Sequence, residues 1–356
     1  KLLIEAKNIN SGEIEEELCR KIRTSILYVA PLLHRVGHVT LYPPGGDVIG
    51  RRRLDTHFYG LEKLGSTIEI NRSFVFDLKD GFKGQDIFFD EASVTATEHI
   101  MMAAAVAEGT TTIRNAASEP HVQDLAEILN KMGAKITGIG TNQLSIEGVS
   151  QLNGCKHEVV SDHIEAVSFL ALAAATHGEI KVEGTRIPHY WMARRVFETL
   201  GIRLELNHDN IVLPGNQSRK VITDIGGGIP VIDDGPWPQF PSDMMSTLLI
   251  LGTQVEGTTL FFEKMFESRM YFVDKLIGMG ANAVVCDPHR VVISGVSQLR
   301  PATLLSPDIR AGMALLGAAL CADGTSHVHN VDMISRGYEY IEDKLLGLNA
   351  KVKLID

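Results

Sequence analysis

The feature that most constrains the fold of this chain is a unit that recurs about every seventy residues. Each unit contains an apolar run ending at a glycine, a short strand-like run, an amphipathic run ending in Leu-Gly or Met-Gly, and two strand-like segments. Glycine is the usual residue after a helix because that position needs a positive φ, and asparagine is the next best. The first turn of each unit lies at Gly37, Gly109, Gly178, Gly257 or Gly324, and the later turn at Gly65, Gly133, Gly201, Gly280 or Asn349.

The start of the chain falls outside this pattern. Lys1–Ala6 resembles the closing strand of a unit, such as Gln143–Gly148 or Arg290–Gly295, but it has no opening half before it. The sequence therefore contains five opening halves and one unmatched closing half. We expect six units in all, with the first half-unit belonging before Lys1.

The same pattern predicts an α/β fold with helices inside and sheets outside. Helices that are apolar on most faces are typically buried, whereas the later amphipathic runs are typical of surface helices. Short alternating runs predict strands. A division near Val159–Ser161 gives expected domains 1–160 and 161–356. The expected buried helices are Glu15–Arg35, Val94–Ala107, Glu165–His177, Asp243–Val255 and Ile309–Ala322; the surface helices include Val122–Met132 and Tyr271–Met279; the strands include His38–Tyr42, Thr110–Arg114, Glu179–Glu183 and Thr258–Phe262.

Composition argues against several functional classes. The net charge of −10 disfavours nucleic-acid and anionic-membrane partners, because both need broad basic surfaces. The longest apolar runs are shorter than the about 20 residues of a membrane span. The cysteines form no CxxC pair, which is typical of the reducing cytoplasm; they are Cys19, Cys155, Cys286 and Cys321. No histidine spacing is typical of a metal site, so we expect none and assign packing or surface positions to His99, His157, His163 and His177.

Polar residues stand at the start of each expected buried helix. Ser93, Asp162 and Asp308 are common N-cap types, and capping is the favoured interpretation over catalysis. Arginine at a helix start opposes the helix dipole, so Arg23 and Arg310 need another reason to be there. Anion binding supplies one, because free N–H groups and the dipole already attract anions to a helix start. A solvated arginine stays open as the alternative for either one.

Two loops are candidates for function. Pro43–His57 carries Asp47, three arginines, Asp55 and His57, and an acid beside several guanidinium groups is typical of a lid over an anionic substrate. A solvated charged loop is the alternative. Gly226–Phe240 is long and rich in glycine and proline, which favours a functional role, although its glycine triplet indicates a turn rather than a dinucleotide site.

Dispersed motifs resemble one known family along essentially the whole chain. The chain resembles the bacterial UDP-N-acetylglucosamine enolpyruvyl transferases, also called UDP-N-acetylglucosamine 1-carboxyvinyltransferases. Several motifs in the right order are far more specific than any one of them. The motifs are PGGDVIGRRRLDTH at Pro44–His57, EP at Glu119–Pro120, FPSDM at Phe240–Met244, FESR at Phe266–Arg269, PDIRAG at Pro307–Gly312 and SRGYEYIEDKL at Ser335–Leu345.

The resemblance implies a fold and an activity. The fold would be the inside-out α/β barrel of the EPSP synthase type, with two domains of three repeats each. The activity would be transfer of an enolpyruvyl group from phosphoenolpyruvate to the sugar 3-hydroxyl, with release of phosphate. This is the first committed step of peptidoglycan synthesis, and hence serves cell-wall biogenesis, cell shape and cell division. It implies no cofactor and no metal, a cytoplasmic location, and a monomer or weak oligomer.

The resemblance also implies residue roles. Asp243 would be the base near the sugar 3-hydroxyl, and Asp47 the proton donor to the methylene carbon of phosphoenolpyruvate. The cationic clamp on phosphoenolpyruvate would comprise Arg52, Arg310 and Arg336, with Arg23 nearby. The segment that contacts the nucleotide would include Arg52, Asp55 and His57. The helix-end site for the diphosphate would comprise Ser93, Val94 and Thr95, and a further polar contact would be Arg269. Domain closure would bring the two sets of side chains together.

Two departures from the family pattern matter. Most members carry cysteine where this chain has Asp47, although some carry aspartate. Fosfomycin acts on the family by alkylating that cysteine, and a carboxylate is a much poorer nucleophile than a thiolate. We therefore predict insensitivity to fosfomycin, and a covalent adduct on Asp47 in a mass spectrum would contradict it. The family also has an essential Lys-Asn pair in a segment that would precede Lys1.

Three functional interpretations stay open at the level of sequence. The leading one is the UDP-N-acetylglucosamine enzyme, which the PGGDVIGRRRLDTH loop favours. The second is the sister activity on shikimate 3-phosphate, 3-phosphoshikimate 1-carboxyvinyltransferase. The third, from a different class, is a catalytically inactive binding protein, motivated by Asp47 and by the segment expected before Lys1. Thermal stabilisation by each acceptor and phosphate release from each substrate pair would distinguish the three.

Overall fold

The computed structural model describes residues 1–47, 49–50 and 52–355. Their α-helices are α1 (Glu16–Lys21), α2 (Val29–Val36), α3 (Asp55–Lys63), α4 (Val94–Ala104), α5 (Pro120–Lys131), α6 (His163–Ala175), α7 (Trp191–Thr199), α8 (Ser242–Thr253), α9 (Val273–Gly278), α10 (Ile309–Cys321), α11 (Asp332–Ser335) and α12 (Ile341–Gly347). Short 3₁₀-helices cover Arg23–Tyr28 and Ile187–Tyr190.

The strands are short, as the alternating runs predict. They are β1 (His38–Leu41), β2 (Thr67–Ile70), β3 (Phe74–Asp77), β4 (Asp86–Phe88), β5 (Thr110–Arg114), β6 (Lys135–Thr137), β7 (Gln143–Glu147), β8 (Ile180–Glu183), β9 (Glu205–Leu206), β10 (Asn210–Leu213), β11 (Val231–Asp233), β12 (Gly257–Phe262), β13 (Ala283–Asp287), β14 (Arg290–Gly295), β15 (Thr303–Leu305) and β16 (His327–His329).

The sheets repeat one pairing scheme. In the first four repeats the strand after the buried helix pairs antiparallel with the last strand of the same repeat, as β5 pairs with β7 and β12 with β14. That last strand also pairs antiparallel with the strand just before it, as β7 does with β6. On its other edge, the strand after the buried helix can pair in parallel with a strand that precedes that helix, as β5 does with β4. Among the described residues of the last repeat, β16 pairs in parallel with β15 alone. Because each strand pairs mainly with neighbours in sequence, every repeat forms its own sheet.

The central helices are buried and the sheets cover them. In one group α6, α8 and α10 pack against one another through an apolar cluster that includes Leu170, Leu249 and Leu315. In the other, α4 packs against α2, α3 and α5. Burial alternates along β5, so that one face of its sheet meets the core and the other meets solvent. The expectation of inner helices and outer sheets is confirmed.

The glycine and asparagine residues at the turns of the repeats mostly have the positive φ that the sequence predicts. All five later turns have positive φ, for example 108° at Gly65 and 63° at Asn349. Gly178 is the exception among the opening glycines, and the positive φ of 61° belongs to His177 instead. The cause is the position of the helix end: α6 has Thr176 as its C-cap, so His177 is the C′ residue that must turn left-handed.

Two element predictions were wrong. The helix expected over Glu15–Arg35 is divided into α1, a 3₁₀-helix and α2, because Ile22 is extended (φ −138°, ψ 141°) and Pro31 has no N–H for a continuous helix. Lys1–Ala6 forms no strand in the described structure; Leu2 is 85% exposed there, and no ladder satisfies the backbone of this segment.

The long Gly226–Phe240 segment is less irregular than its composition indicates. It contains β11, which pairs in parallel with β12. Its glycine triplet forms a turn, as predicted, with the Gly227 N–H donating to the Asp224 carbonyl at 2.9 Å.

The chain divides into two compact units. The first comprises Lys1–Asp47 and Arg52–Val160, and the second comprises Ser161–Asp356 with the described part of Val48–Arg51. Each unit has its own apolar core. None of the helices formed by the described residues combines the length and apolar character that crossing a bilayer requires.

Candidate active site

In the second unit, α8 presents a single carboxylate from an otherwise buried helix. Every residue of α8 except Asp243 is buried. Pro241 precedes the helix and Asp243 stands in its first turn, where the helix dipole favours negative charge. The side chain of Asp243 is 36% exposed, so its carboxylate reaches the surface while its helix is fixed in the core.

Two arginines hold the two oxygens of this carboxylate. Arg269 donates from Nη2 to Oδ1 of Asp243 at 2.7 Å, and Arg310 donates from Nε to Oδ2 at 3.2 Å. Burial by itself would raise the pKa of Asp243, but Arg310 and Arg269 outweigh it and lower this pKa to about 2. The carboxylate is therefore ionised throughout the neutral pH range, and its orientation is fixed from both sides.

The side chain of Arg269 is itself held by partners in the core. Its side chain is only 2% exposed. Its Nε donates to Ser242 Oγ at 3.2 Å, and its guanidinium carbon lies 5.3 Å from the centre of the Phe266 ring. A buried guanidinium needs such partners because an unpaired buried charge is costly.

A buried acid pair, Asp234 and Glu263, completes this support. Glu263 accepts hydrogen bonds from Ser242 Oγ at 2.8 Å and from the Phe266 N–H at 3.0 Å, and it lies beside Asp234. Burial raises the pKa of Glu263 to about 8, and Asp234 contributes to the increase. Glu263 is therefore largely protonated at neutral pH and adds little negative charge beneath Arg269.

Sequence reasoning did not identify this pair. A signal was present, because Glu263 continues the inward-facing positions of β12 set by Thr259 and Phe261, both buried. An acid at a core-facing position of a strand is unusual unless it is paired.

Arg310 stands in the first turn of α10. Asp308 caps this helix by accepting from the N–H groups of Arg310 and Ala311, each at 2.9 Å. The Arg310 guanidinium lies 5.3 Å from the centre of the Tyr338 ring, and the Tyr338 hydroxyl is 2.9 Å from Ser168 Oγ. The arginine therefore faces Asp243 on one side and an aromatic ring on another.

Arg336 lies beside this cluster, on the surface, at the C-terminal end of α11. Its Nη1 is 3.4 Å from the sulphur of Met333. The next residue, Gly337, allows a close approach to α10: a Cβ at this position would be 2.4 Å from Ile309 Cγ2 and 3.5 Å from Arg310 Nη1. The absence of a side chain at Gly337 therefore permits the backbone after α11 to approach the start of α10.

In the first unit, Arg23 and Arg52 form a second cationic cluster beside Asp47. A Cβ at Gly46 would lie 3.1 Å from Arg23 Cβ and 3.4 Å from Arg52 Nη1, which places this glycine between them. Burial and then the charge of Arg52 lower the pKa of Arg23 to about 10. Two guanidinium groups held this close repel each other, and an anion between them would relieve the repulsion.

The remaining loop residues have distinct environments. Asp55 accepts both bonds of a bidentate pair from Arg53, at 2.9 Å and 2.8 Å, near the surface. Arg23 Nη2 donates to the Arg53 carbonyl at 2.7 Å, which ties the loop to the first 3₁₀-helix. Val48 and Arg51 lie outside the described residues, so the lid interpretation of this loop stays a prediction.

The N-terminus of α4 carries the three residues predicted for the diphosphate. Ser93 is the N-cap and accepts from the Ala96 N–H at 3.4 Å. Val94 and Thr95 are the first two residues of the helix, so their N–H groups have no carbonyl acceptor within it. The capping interpretation is confirmed for Ser93, for Asp308 and for Asp162, which accepts from the Ile164 N–H at 2.8 Å.

His57, expected near the nucleotide, is buried rather than on the surface. It is 1% exposed and lies between Thr95 and His99. His99 and His163 are also buried, and His177 is exposed, in agreement with their assignment to packing or surface positions. Within the described part of the chain, no group of three or more histidine, cysteine, aspartate or glutamate side chains is arranged to hold a metal ion.

Comparison with known proteins gives a consistent result. The sequence profile of the family EPSP synthase (3-phosphoshikimate 1-carboxyvinyltransferase) matches residues 2–345. A UDP-N-acetylglucosamine 1-carboxyvinyltransferase of Treponema denticola is 52% identical over 351 residues, which cover 99% of this chain and 82% of the relative. A protein of the same name from Bradyrhizobium diazoefficiens is 51% identical over 354 residues, with 99% and 82% covered.

A solved structure agrees on the fold. The enolpyruvyl transferase NikO from Streptomyces tendae superposes with a TM-score of 0.82 at 22% identity, over 97% of this chain and 80% of that chain. At this identity the likeness concerns the fold alone. The expected EPSP synthase type of fold is confirmed.

Proposed function

We propose, because the chain belongs to the EPSP synthase family and within it to the UDP-N-acetylglucosamine 1-carboxyvinyltransferases, that it transfers the enolpyruvyl group of phosphoenolpyruvate to the 3-hydroxyl of UDP-N-acetylglucosamine and releases phosphate. The geometric observation that carries the proposal is Asp243, the one carboxylate that α8 presents, held by two arginines. The product would enter peptidoglycan synthesis.

Asp243 is proposed as the general base. It would accept the proton of the sugar 3-hydroxyl while the hydroxyl oxygen bonds to C2 of phosphoenolpyruvate. Its low pKa makes it a weak base while Arg269 and Arg310 are both fully directed at it. Anionic phosphoenolpyruvate on Arg310 would offset part of that positive charge and make Asp243 more basic. The base would thus gain strength when the second substrate arrives.

The arginines are proposed to bind phosphoenolpyruvate. Arg336 directly precedes Gly337, whose backbone lies close to Arg310, and Arg23 and Arg52 lie together beside Gly46. Guanidinium groups bind carboxylate and phosphate oxygens in bidentate fashion. Such fixed cations would also stabilise the charge that develops when phosphate leaves C2.

Asp47 is proposed as the proton donor to C3 of phosphoenolpyruvate. Protonation of C3 accompanies addition at C2, and removal of a proton from the resulting methyl group accompanies loss of phosphate, which restores the double bond. The nucleotide side is proposed to involve Asp55, His57 and the start of α4 at Ser93, Val94 and Thr95. Their N–H groups and the helix dipole suit a diphosphate.

Phosphate release tests the proposal. The chain is incubated with phosphoenolpyruvate and either UDP-N-acetylglucosamine or shikimate 3-phosphate, and phosphate is measured over time. We expect release with the nucleotide sugar and none with shikimate 3-phosphate. Release with shikimate 3-phosphate alone would assign the sister activity, and release with neither acceptor would contradict the proposal.

A matched pair of variants tests the base. Asp243→Asn keeps the shape of the side chain and removes its charge, and we expect phosphate release to fall by about 10²-fold or more. Asp287→Asn removes a carboxylate that pairs with Arg290 on β13 and β14, and we expect little change. Equal activity in the two variants would remove Asp243 from the proposed mechanism.

A further inference from the structure

A line of three buried or half-buried side chains runs from the core of the first unit to the start of α4. The Ala30 N–H donates to Nε2 of His99 at 3.0 Å. Nδ1 of His99 is 3.1 Å from Nδ1 of His57, and Nε2 of His57 is 3.1 Å from Oγ1 of Thr95. Both rings are buried, and their planes are tilted by 49°.

The direction of each hydrogen bond in this line follows from the first one, in which the Ala30 N–H donates to His99. A backbone N–H can only donate, so Nε2 of His99 must carry a lone pair. A neutral imidazole has one N–H, and His99 must therefore be protonated at Nδ1. That N–H donates to Nδ1 of His57, which leaves the proton of His57 on Nε2. Nε2 then donates to Thr95, whose hydroxyl oxygen is the acceptor.

Burial keeps both rings in the neutral form that this sequence of bonds requires. It lowers the pKa of His99 to about 3. The pKa of His57 also lies well below its usual value, through burial first and then through the neighbouring His99 and the positive charge of Arg23. A second proton on either ring would place two N–H groups against each other or against the Ala30 N–H.

Thr95 therefore keeps its own hydroxyl proton for another acceptor. Among the described residues, Thr95 Oγ1 forms no hydrogen bond besides that with His57. Thr97, two residues later, differs: its hydroxyl donates to the Ser93 carbonyl at 2.8 Å and accepts from the Ala117 N–H at 2.9 Å. Thr97 is satisfied within the fold, whereas Thr95 has a donor left over at the helix start.

We propose that His57 and His99 are positioning residues that orient the Thr95 hydroxyl as a dedicated hydrogen-bond donor to the diphosphate of the nucleotide substrate. This inference rests on the proposed function. It replaces a direct contact between His57 and the nucleotide with an indirect one, through Thr95. The donor joins the N–H groups at the start of α4, where an anion is already favoured, and Arg23 adds positive charge near His57.

The tautomers provide the first test, which needs no ligand. Long-range ¹H–¹⁵N spectra of the full chain, labelled at histidine, report which ring nitrogen carries the proton, and His57→Gln assigns the signals. We expect Nδ1–H for His99 and Nε2–H for His57, unchanged between about pH 6 and 9. The opposite tautomer on either ring, or a charged ring, would overturn the inference.

Ligand binding provides the second test. We compare the dissociation constants of UDP-N-acetylglucosamine, UDP and uridine for the unchanged chain, Thr95→Val and Thr95→Ser. Thr95→Val keeps the shape but removes the donor, and we expect about tenfold or greater weakening for UDP-N-acetylglucosamine and UDP, because the acceptor is charged. Uridine, which has no phosphate, should bind equally to all three proteins. Thr95→Ser should restore most of the affinity.

A double-mutant cycle separates positioning from stability. His57→Leu should weaken UDP binding severalfold when Thr95 is present and should have little further effect in Thr95→Val. His57→Gln, whose amide can still donate to Thr95, should retain more affinity than His57→Leu. Thermal melting identifies any variant that does not fold, in which case Thr95→Val and the tautomers decide. Unchanged UDP affinity in Thr95→Val refutes the inference, whereas a chain that binds no UDP-N-acetylglucosamine refutes the proposed function itself.

Discussion

At the scale of single residues, charge in this protein is controlled by what surrounds each group. Asp243 and Glu263 both lie within 4.0 Å of Arg269, yet the pKa of Asp243 is lowered to about 2 and that of Glu263 is raised to about 8. Burial raises the pKa of both groups, but two arginines outweigh it at Asp243, whereas Asp234 adds to it at Glu263. Two carboxyl groups of similar intrinsic acidity are therefore suited to different tasks, one ionised at the surface and one protonated below it.

Removal of Arg269 should change the acidity of Asp243. In Arg269→Met, one opposite charge is lost, and we expect the pKa of Asp243 to rise by about one to three units. Protonated Asp243 cannot act as a base, so phosphate release in this variant should fall as pH decreases from about 6 to 4 more steeply than in the unchanged chain. Arg290→Met removes an exposed arginine paired with Asp287 and serves as the control. Identical pH profiles for the two variants would contradict the role of Arg269.

The raised pKa of Glu98 predicts that the stability of the fold depends on pH. Burial, and then the charge of Glu119, raise its pKa to about 7 from 4.5. The folded state therefore holds a proton between these values that the unfolded state has lost, so the free energy of unfolding should decrease as pH rises from about 4.5 to 7. Glu98→Gln removes this penalty, and we expect about 2 kcal/mol of added stability at pH 8 and none at pH 4.

A matched variant checks this expectation. Glu108 is exposed and paired with Lys83, and Glu108→Gln should produce no gain at pH 8. Urea unfolding at several pH values measures both variants. A gain for Glu98→Gln that is equal at pH 4 and pH 8 would show that the effect is not linked to ionisation.

At the scale of elements, sequence reasoning succeeded where the determinants are local. The later turns are specified by one residue each, so Gly65 and Asn349 could be identified directly. The break of the helix within Glu15–Arg35 was not predicted, because the apolar pattern of a helix continues across the extended Ile22 and Pro31. His177 replaced Gly178 at a turn because a helix end shifts by one residue without a change in pattern.

The candidate site was predictable only in part, for a similar reason. Asp243, Arg269 and Arg310 belong to motifs in three separate segments, and the family resemblance identified them as site residues. The structure shows that both arginines donate hydrogen bonds to Asp243. Their supports were not foreseen, because Asp234 and Glu263 meet only through the parallel pairing of β11 with β12. The role of His57 required the tautomer of His99, which depends on the Ala30 N–H in another helix. Such partners are set by tertiary structure.

The approach of α11 to α10 predicts the effect of a single methyl group. In Gly337→Ala the new Cβ would be 2.4 Å from Ile309 Cγ2, so α11 or the start of α10 must shift. We expect about 1–3 kcal/mol of destabilisation and weaker binding of phosphoenolpyruvate, because the segment that carries Arg336 shifts relative to α10. Gly347→Ala, on α12, meets nothing within 4 Å and should be neutral or slightly stabilising. Equal melting temperatures and phosphoenolpyruvate affinities for the two variants would refute this account.

At the scale of the whole molecule, the chain consists of two units whose apolar clusters have no residue in common. The first unit is built around α4 and the second around α6, α8 and α10. Because the core of each unit is formed almost entirely from its own segment, each has what an independently folding domain requires. The proposed catalytic residues are divided between them, with Asp47 in one and Asp243 in the other.

Fragments 1–160 and 161–356 test this division. We expect each to unfold cooperatively on heating, with a single transition in near-ultraviolet circular dichroism, since each retains its own core. Neither should release phosphate from phosphoenolpyruvate and UDP-N-acetylglucosamine, because each lacks one of the two proposed proton-transfer residues. As a control, fragment 161–300 lacks α10, whose Leu315 belongs to the core of the second unit, and it should show no cooperative transition. A broad, non-cooperative transition in 1–160 or 161–356 would mean that the core of that unit is insufficient without the rest of the chain.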